Sequence, residues 1–285
     1  MSLIPAIKKD EALINEVQEF STDHNNFHLW WLGQSGYLLL WNGKKILIDP
    51  YLSDSLTKKY AVSDKPHTRM SERVVAPELF FDITAVSSSH NHTDHLDAET
   101  LIPIIQNNPK IRFIIPEANR TFVADRVKIP VDFAVGLNDN SSYSFEGFTF
   151  HGVPAAHNSI ERDEKNNCRF MGYIIEFGRW KIYHSGDTLW FDGMEEILRP
   201  FQVDLALLPI NGNEPSRGVA GNLDCREAAR LAKEIHAGLV IPCHYDMFTF
   251  NTADPYIFAQ IADRIQQPYK ILKPGEHWSS EELKS

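Results

Sequence analysis

The run Ser89-His90-Asn91-His92-Thr93-Asp94-His95 places three imidazoles and a carboxylate within the six residues from His90 to His95. Charged together, the imidazoles would repel one another, and desolvating all four groups would be costly. A divalent cation removes both difficulties, because neutral imidazole nitrogen and carboxylate oxygen are favoured ligands of borderline metals. The run directly follows residues 83–87, an apolar strand-like segment, and ligands gather at strand ends in α/β folds. Three further positions repeat the arrangement. His157 follows Gly152-Val153-Pro154-Ala155-Ala156, Asp187 closes Tyr183-His184-Ser185-Gly186-Asp187, and His244 follows Ile241-Pro242-Cys243. Any one of them alone would more often be a structural residue. In order, each after a strand, they reinforce one another, and the chain is expected to bring several strand ends to one metal centre.

The rest of the pattern fits an α/β chain. Leu13, Val17 and Phe20 recur at helical spacing over residues 11–20. Strands are expected at 28–32, 37–41 and 45–48, separated by turn-forming Gly33-Gln34-Ser35-Gly36 and Asn42-Gly43-Lys44. Residues 51–78 are polar and weakly periodic, which suits a lid, a specificity wall or a solvated excursion. Beyond them strands at 83–87 and 112–115 alternate with helices at 98–106 and 117–125. A β-rich stretch follows at 131–183, with turns at 138–140 and 146–147. Alternation then resumes: strands at 205–210, 239–242 and 270–272, helices at 225–235 and 255–265. Two β-rich stretches, each followed by β/α alternation, predict two similar halves packed sheet to sheet with helices outside. Residues 1–285 are read as a single domain with an N-terminal helical extension over about 1–25.

Composition limits the partners. The 285 residues carry a formal charge of −10, so no overall attraction to nucleic acid is expected, though a local basic pocket remains open. Neither a secretory leader nor an apolar run of the roughly 20 residues a membrane span needs is visible. Cys168, Cys225 and Cys243 are three scattered thiols, which fits a reducing, cytoplasmic location better than a disulfide framework. The partner expected is a small molecule, with homo-oligomerisation open.

Asp49 in Ile46-Leu47-Ile48-Asp49-Pro50, the HxHxDH run, His157, Asp187 and His244 together resemble the ordered motifs of the metallo-β-lactamase superfamily, over roughly residues 30–274. The resemblance implies a four-layer αβ/βα sandwich with the site at one edge of the sheets. It also implies two divalent ions, zinc or alternatively manganese. His90, His92 and His157 would hold one and Asp94, His95 and His244 the other. Asp187 would bridge them and Asp49 would act from behind the ligands. Water held by such ions loses proton affinity, to a pKa near ~7 on zinc, so the implied chemistry is hydrolysis by a metal-activated hydroxide. Asp94 could also carry a proton.

The opening Trp31-Leu32-Gly33-Gln34-Ser35-Gly36 is similar to ascorbate-6-phosphate lactonases and to N-acylphosphatidylethanolamine phospholipase D. Asn213-Glu214-Pro215-Ser216-Arg217-Gly218 and His244-Tyr245-Asp246-Met247-Phe248 lean to the lactonases. A small anionic lactone or ester is therefore the leading substrate class. Arg217 is the expected anchor for the anion, because guanidinium pairs bidentately with phosphate or carboxylate. The alternatives are a phosphodiesterase or phospholipase D-like hydrolase, and a metal-binding regulatory protein. Histidine at the second ligand position weighs against a diiron oxygen chemistry. His24, His28, His67, His236 and His277 are assigned to the surface or to packing, and His151 to an ordinary strand position. His184 could support Asp187, and Cys243 reads as a buried strand thiol.

Overall fold

The computed structural model describes residues 2–218 and 221–284. Its first sheet has seven strands in the order β13-β1-β2-β3-β4-β5-β6: β1 (Phe27–Gly33), β2 (Gly36–Trp41), β3 (Lys44–Ile48), β4 (Ile83–Ser87), β5 (Arg112–Pro116), β6 (Val135–Leu137) and β13 (His277–Ser279). The second has six in the order β12-β11-β10-β9-β8-β7: β7 (Ser142–Phe145), β8 (Phe148–Pro154), β9 (Met171–Phe177), β10 (Trp180–His184), β11 (Leu205–Pro209) and β12 (Leu239–Cys243). Helices α1 (Glu11–Glu19), α2 (Ser55–Lys59), α3 (Ala98–Asn107), α4 (Arg120–Val127), α5 (Met194–Leu198), α6 (Cys225–Glu234) and α7 (Pro255–Ile265) complete the order. This is the metallo-β-lactamase αβ/βα sandwich that the sequence led us to expect.

Period-2 alternation divides the apolar residues between two cores. Phe27, Leu29 and Trp31 of β1, with Tyr37 and Leu39 of β2 and Ile46 and Ile48 of β3, join residues of the second sheet in one cluster. Their neighbours Trp30, Leu32, Leu38, Leu40 and Leu47 turn the other way, onto Leu13 and Val17 of α1 and Leu101 and Ile104 of α3. A strand buried on both faces cannot show the alternating polar signature, which is why these runs read as continuously hydrophobic. Leu39, fully buried between the sheets, would cost about 2–5 kcal/mol on truncation to alanine.

Local chemistry fixes the helix starts. The Asp97 carboxylate accepts the Thr100 N–H at the head of α3. Asp224 and Glu227 form a reciprocal capping box on α6, and Asp254 caps α7 just before Pro255.

Several expectations are corrected. Residues 270–272 form no strand: Tyr269 makes one parallel bridge to Val240, and the chain then turns to deliver β13 to the first sheet, antiparallel to β1. The β-rich stretch is interrupted at 155–170 by a long loop, and α5 was not foreseen. Segment 51–78 contains α2 and is pinned to the body. The Met70 N–H donates to the Met247 carbonyl (2.8 Å), and the Thr249 N–H donates to the Thr68 carbonyl (2.9 Å).

Candidate metal centre

Parallel pairing sets the geometry. β3 and β4 are parallel, as are β10, β11 and β12, and β8 runs with β10 because both lie antiparallel to β9. The carboxyl ends of β3, β4, β8, β10 and β12 therefore lead into Asp49, His90, His157, Asp187 and His244.

Two of these ends make tight bends. Asp49 and His244 have positive φ, 41° and 67°, a conformation uncommon for non-glycine residues and frequent at functional sites. Gly186, at φ 60°, precedes Asp187. A Cβ there would lie 2.7 Å from both the Met171 carbonyl oxygen and the Ser89 Cβ. Only glycine lets the Asp187 turn sit this close to the β4 end.

The donor atoms converge in three overlapping groups, His90/His92/His157, His90/His95/Asp187 and Asp94/His95/His244, each with its atoms within 4.8 Å of one another. His95 Nε2 lies 3.3 Å from Asp187 Oδ1, and His244 Nε2 lies 3.4 Å from Asp187 Oδ2. His157 Nε2 lies 3.7 Å from the same Asp187 oxygen, and both His95 Nε2 and His244 Nε2 lie 3.7 Å from Asp94 Oδ2. Asp187 thus stands within reach of histidines from both outer groups.

The donor chemistry fits divalent cations. Among the described residues His90 Nε2, His95 Nε2 and Asp187 Oδ1 are buried without a hydrogen-bond partner, the last two facing each other at 3.3 Å outside hydrogen-bond geometry. Buried polar atoms are ordinarily paired, so three orphans aimed into one cluster mark a place for a ligand of opposite polarity. Burial, reinforced by His95 and His92, holds His90 well below the usual histidine range, and burial also lowers His157. Both are thereby kept as neutral nitrogen donors. Burial alone would raise the Asp187 carboxyl, but His95 and His244 outweigh it and hold it ionised.

Behind the donors, side chains set the ring orientations. Asp49 Oδ1 accepts the Ser89 N–H (2.9 Å), and its Oδ2 accepts from the Ser89 hydroxyl and from His95 Nδ1 (2.6 Å). His157 Nδ1 donates to the Gly221 carbonyl (2.9 Å), which turns Nε2 inward. Gln34 was missed from sequence. Its amide donates to Asp94 Oδ2 (2.9 Å), and its carbonyl accepts the His244 N–H (3.1 Å). Its place inside a conspicuous turn, Gly33-Gln34-Ser35-Gly36, was the only available signal. His184 binds the Ser35 carbonyl (3.0 Å) and accepts the Gly186 N–H, so it braces the turn that carries Asp187.

The cluster opens on a cavity of about 560 Å³, within the range of small-molecule sites. Residues 51–78 supply part of its wall through Leu56, Lys59, Tyr60, Lys65 and His67. His67 was assigned to the surface or to packing, yet it lines the cavity and stacks on Tyr60 at 4.6 Å.

Arg217 is placed differently from the expectation. It does not line the cavity, and its guanidinium donates to Asn251 Oδ1 (2.7 Å) and to the Gly212 carbonyl (2.6 Å). The fork is committed to its own loop and to Asn251, which does reach the cavity.

A sandwich whose strand ends gather seven histidine and aspartate donors defines a class of metal-site proteins. Comparison with known proteins agrees. Residues 44–245 match the family model described as the β-lactamase superfamily domain. A UPF0173 metal-dependent hydrolase of Pyrococcus horikoshii is 31% identical over 238 residues, covering 82% of this chain and 91% of that one. Another, from Methanosarcina mazei, is 29% identical over 252 residues, covering 86% and 95%. The chain belongs to the β-lactamase superfamily and, within it, to the UPF0173 metal-dependent hydrolases. Among solved structures, an isothiocyanate hydrolase from Delia radicum gut bacteria superposes with a TM-score of 0.70 at 20% identity, covering 88% of this chain and 98% of that one. Igni18, a metallo hydrolase of Ignicoccus hospitalis, gives 0.64 at 23%, covering 90% and 98%. At such identities the likeness concerns the fold alone. Among the described residues no helix is long and apolar enough to cross a membrane.

Proposed function

We propose that the chain hydrolyses a small anionic lactone or ester with two divalent ions. His90, His92 and His157 would hold one and Asp94, His95 and His244 the other, with Asp187 shared between them. The observation that carries this reading is the overlap of three donor groups around Asp187, with three buried orphan atoms among them, at the floor of a small-molecule-sized cavity. The nitrogen and oxygen donor set favours zinc, with manganese as the alternative.

Ions bound there would supply an acidified water and an electrophile for the oxyanion that develops. The chain's own residues do the rest. Asp94 Oδ2 already accepts from Gln34, so its other oxygen is the one available to take a proton from the attacking water and pass it to the leaving oxygen. Asp49 holds His95 in one tautomer through Nδ1, and Gly221 does the same for His157. Leu56, Tyr60 and Phe122 add apolar surface to the cavity walls.

The test is a screen of lactones, aryl esters and phosphodiesters with the metal-loaded chain. Turnover of lactones or esters that chelation abolishes supports the reading. Turnover confined to phosphodiesters would move the chain to the phosphodiesterase class. Bound metal without turnover of any of them would favour a regulatory metal protein.

A further inference from the structure

The donor cluster accounts for the cavity floor, whereas its walls carry positive charge. Lys59, Lys65 and Arg126 all line the cavity, and none has a carboxylate within ion-pair distance among the described residues. The Lys59 ammonium lies 5.1 Å from the centroid of the Tyr60 ring, and Lys65 Nζ donates to the Gly218 carbonyl. Arg126 Nη1 donates to the carbonyls of Asn91 (2.7 Å) and Leu96 (3.3 Å), and its guanidinium lies 4.4 Å from the centre of the Phe122 ring.

Neighbouring cations outside the cavity are neutralised. Lys58, adjacent to Lys59, pairs with Glu99 at 2.8 Å, and Arg69 pairs with Asp54 at 2.7 Å. Carboxylates are plentiful in a chain of net charge −10, yet among the described residues none ion-pairs with the three cavity cations. Asp97 reaches Arg126 only at longer range, and the cavity's own Asp94 and Asp187 belong to the donor cluster on its floor. Like charges gathered around a concave surface repel one another and focus a positive potential into it, an arrangement that an incoming anion relieves.

We propose that Lys59, Lys65 and Arg126 form an anion-binding subsite that takes a carboxylate or phosphate group of the substrate, remote from the bond cleaved. This deepens the hydrolase reading, on which it rests, and gives to these residues the task expected of Arg217. Arg126 has one nitrogen committed to the 90–97 loop and its remaining N–H groups free, so it offers a planar fork, while the lysines act as mobile point charges. Binding energy at a remote anion positions the scissile carbonyl over the metal centre. Its bond to the Asn91 carbonyl also ties Arg126 to the metal loop, so the two lysines are the cleaner probes. The Lys59 side chain makes no hydrogen bond or ion pair among the described residues, so Lys59→Met removes its charge at the cost of only the Tyr60 ring contact.

The experiment compares the wild type with Lys59→Met and with the Lys59→Met/Lys65→Met double variant, all as the metal-loaded full chain. The probes are 4-nitrophenyl acetate, mono-4-nitrophenyl succinate and, by calorimetry, succinate itself. The double variant should lower the succinyl-over-acetyl ratio of kcat/KM by about tenfold or more, and weaken succinate binding by a similar factor, at equal metal content. An unchanged ratio and unchanged succinate affinity would overturn the subsite and leave the hydrolase reading standing if both esters are turned over. Lysine-dependent succinate binding with neither ester hydrolysed would uphold the subsite and overturn the ester-hydrolase reading.

Discussion

His95 Nδ1 donates to Asp49 Oδ2 across 2.6 Å, in a position where neither side chain is exposed. The same carboxylate receives the backbone N–H and hydroxyl of Ser89, so the end of β3 fixes both the β4 loop and the tautomer of a donor histidine. Asp49→Asn should keep the fold and lower metal affinity or turnover by about 10–100-fold, because an amide cannot accept all three bonds. Unchanged metal affinity and turnover in a titrated variant would remove Asp49 from this role.

Asp187 differs from Asp49 in standing among the donor atoms themselves. Asp187→Asn should lower turnover by more than about 100-fold while thermal unfolding stays within a few degrees of wild type, since the amide keeps the shape and loses the charge. Elemental analysis of the variant should show reduced metal content. Full metal content with unchanged turnover would contradict a shared role.

Arg217→Ala should act through structure. Two hydrogen bonds from a charged donor, to Asn251 and to Gly212, would be lost, costing roughly 1–3 kcal/mol of stability. Turnover of the anionic and neutral esters should fall by the same factor, within about twofold, in contrast to the lysine variants. A selective loss on the anionic ester would restore Arg217 as a substrate anchor.

Away from the metal centre, His277 of β13 bonds His28 Nδ1 (2.9 Å) and stacks on Phe20 at 4.5 Å, fastening the end of α1 to the first sheet. Burial, then His28 and Lys8, opposed by Glu16 and Glu282, holds its pKa down at about 4. In the unfolded chain the group titrates near ~6.5, so unfolded molecules take up the proton first as the pH falls. The stability contributed by neutral His277 is therefore present above about pH 6.5 and lost progressively toward about pH 4. The denaturant midpoint of wild type relative to His277→Phe should hold steady above about pH 6.5 and fall as the pH drops toward about 4. Parallel pH profiles would contradict the assignment.

Much of this architecture was legible before the structure. β4 and α7 fall at the expected limits, 83–87 and 255–265, because β-branched alternation and a capped amphipathic pattern are local signals. The positions of His157, Asp187 and His244 were legible because each directly follows such a strand. β13 was not, since three residues are too few for a periodic signal and its partner β1 lies almost a whole chain away. Residues 270–272 misled because Lys-Ile-Leu is apolar enough for a strand, yet only a bridge beside β12 was available. The cavity cations could not be read either. Whether a lysine meets a carboxylate or a cavity depends on tertiary placement, as the adjacent Lys58 and Lys59 demonstrate. Arg217 shows the converse, its guanidinium meeting Asn251 and Gly212 rather than the cavity.

The most direct test of the central claim is metal stoichiometry. The chain, purified without added metal and then equilibrated with zinc or manganese, should bind about two ions, fall to about one in His244→Ala, and lose ester hydrolysis on chelation and regain it on reloading. Active protein carrying no stoichiometric metal, with turnover indifferent to chelator, would contradict the account.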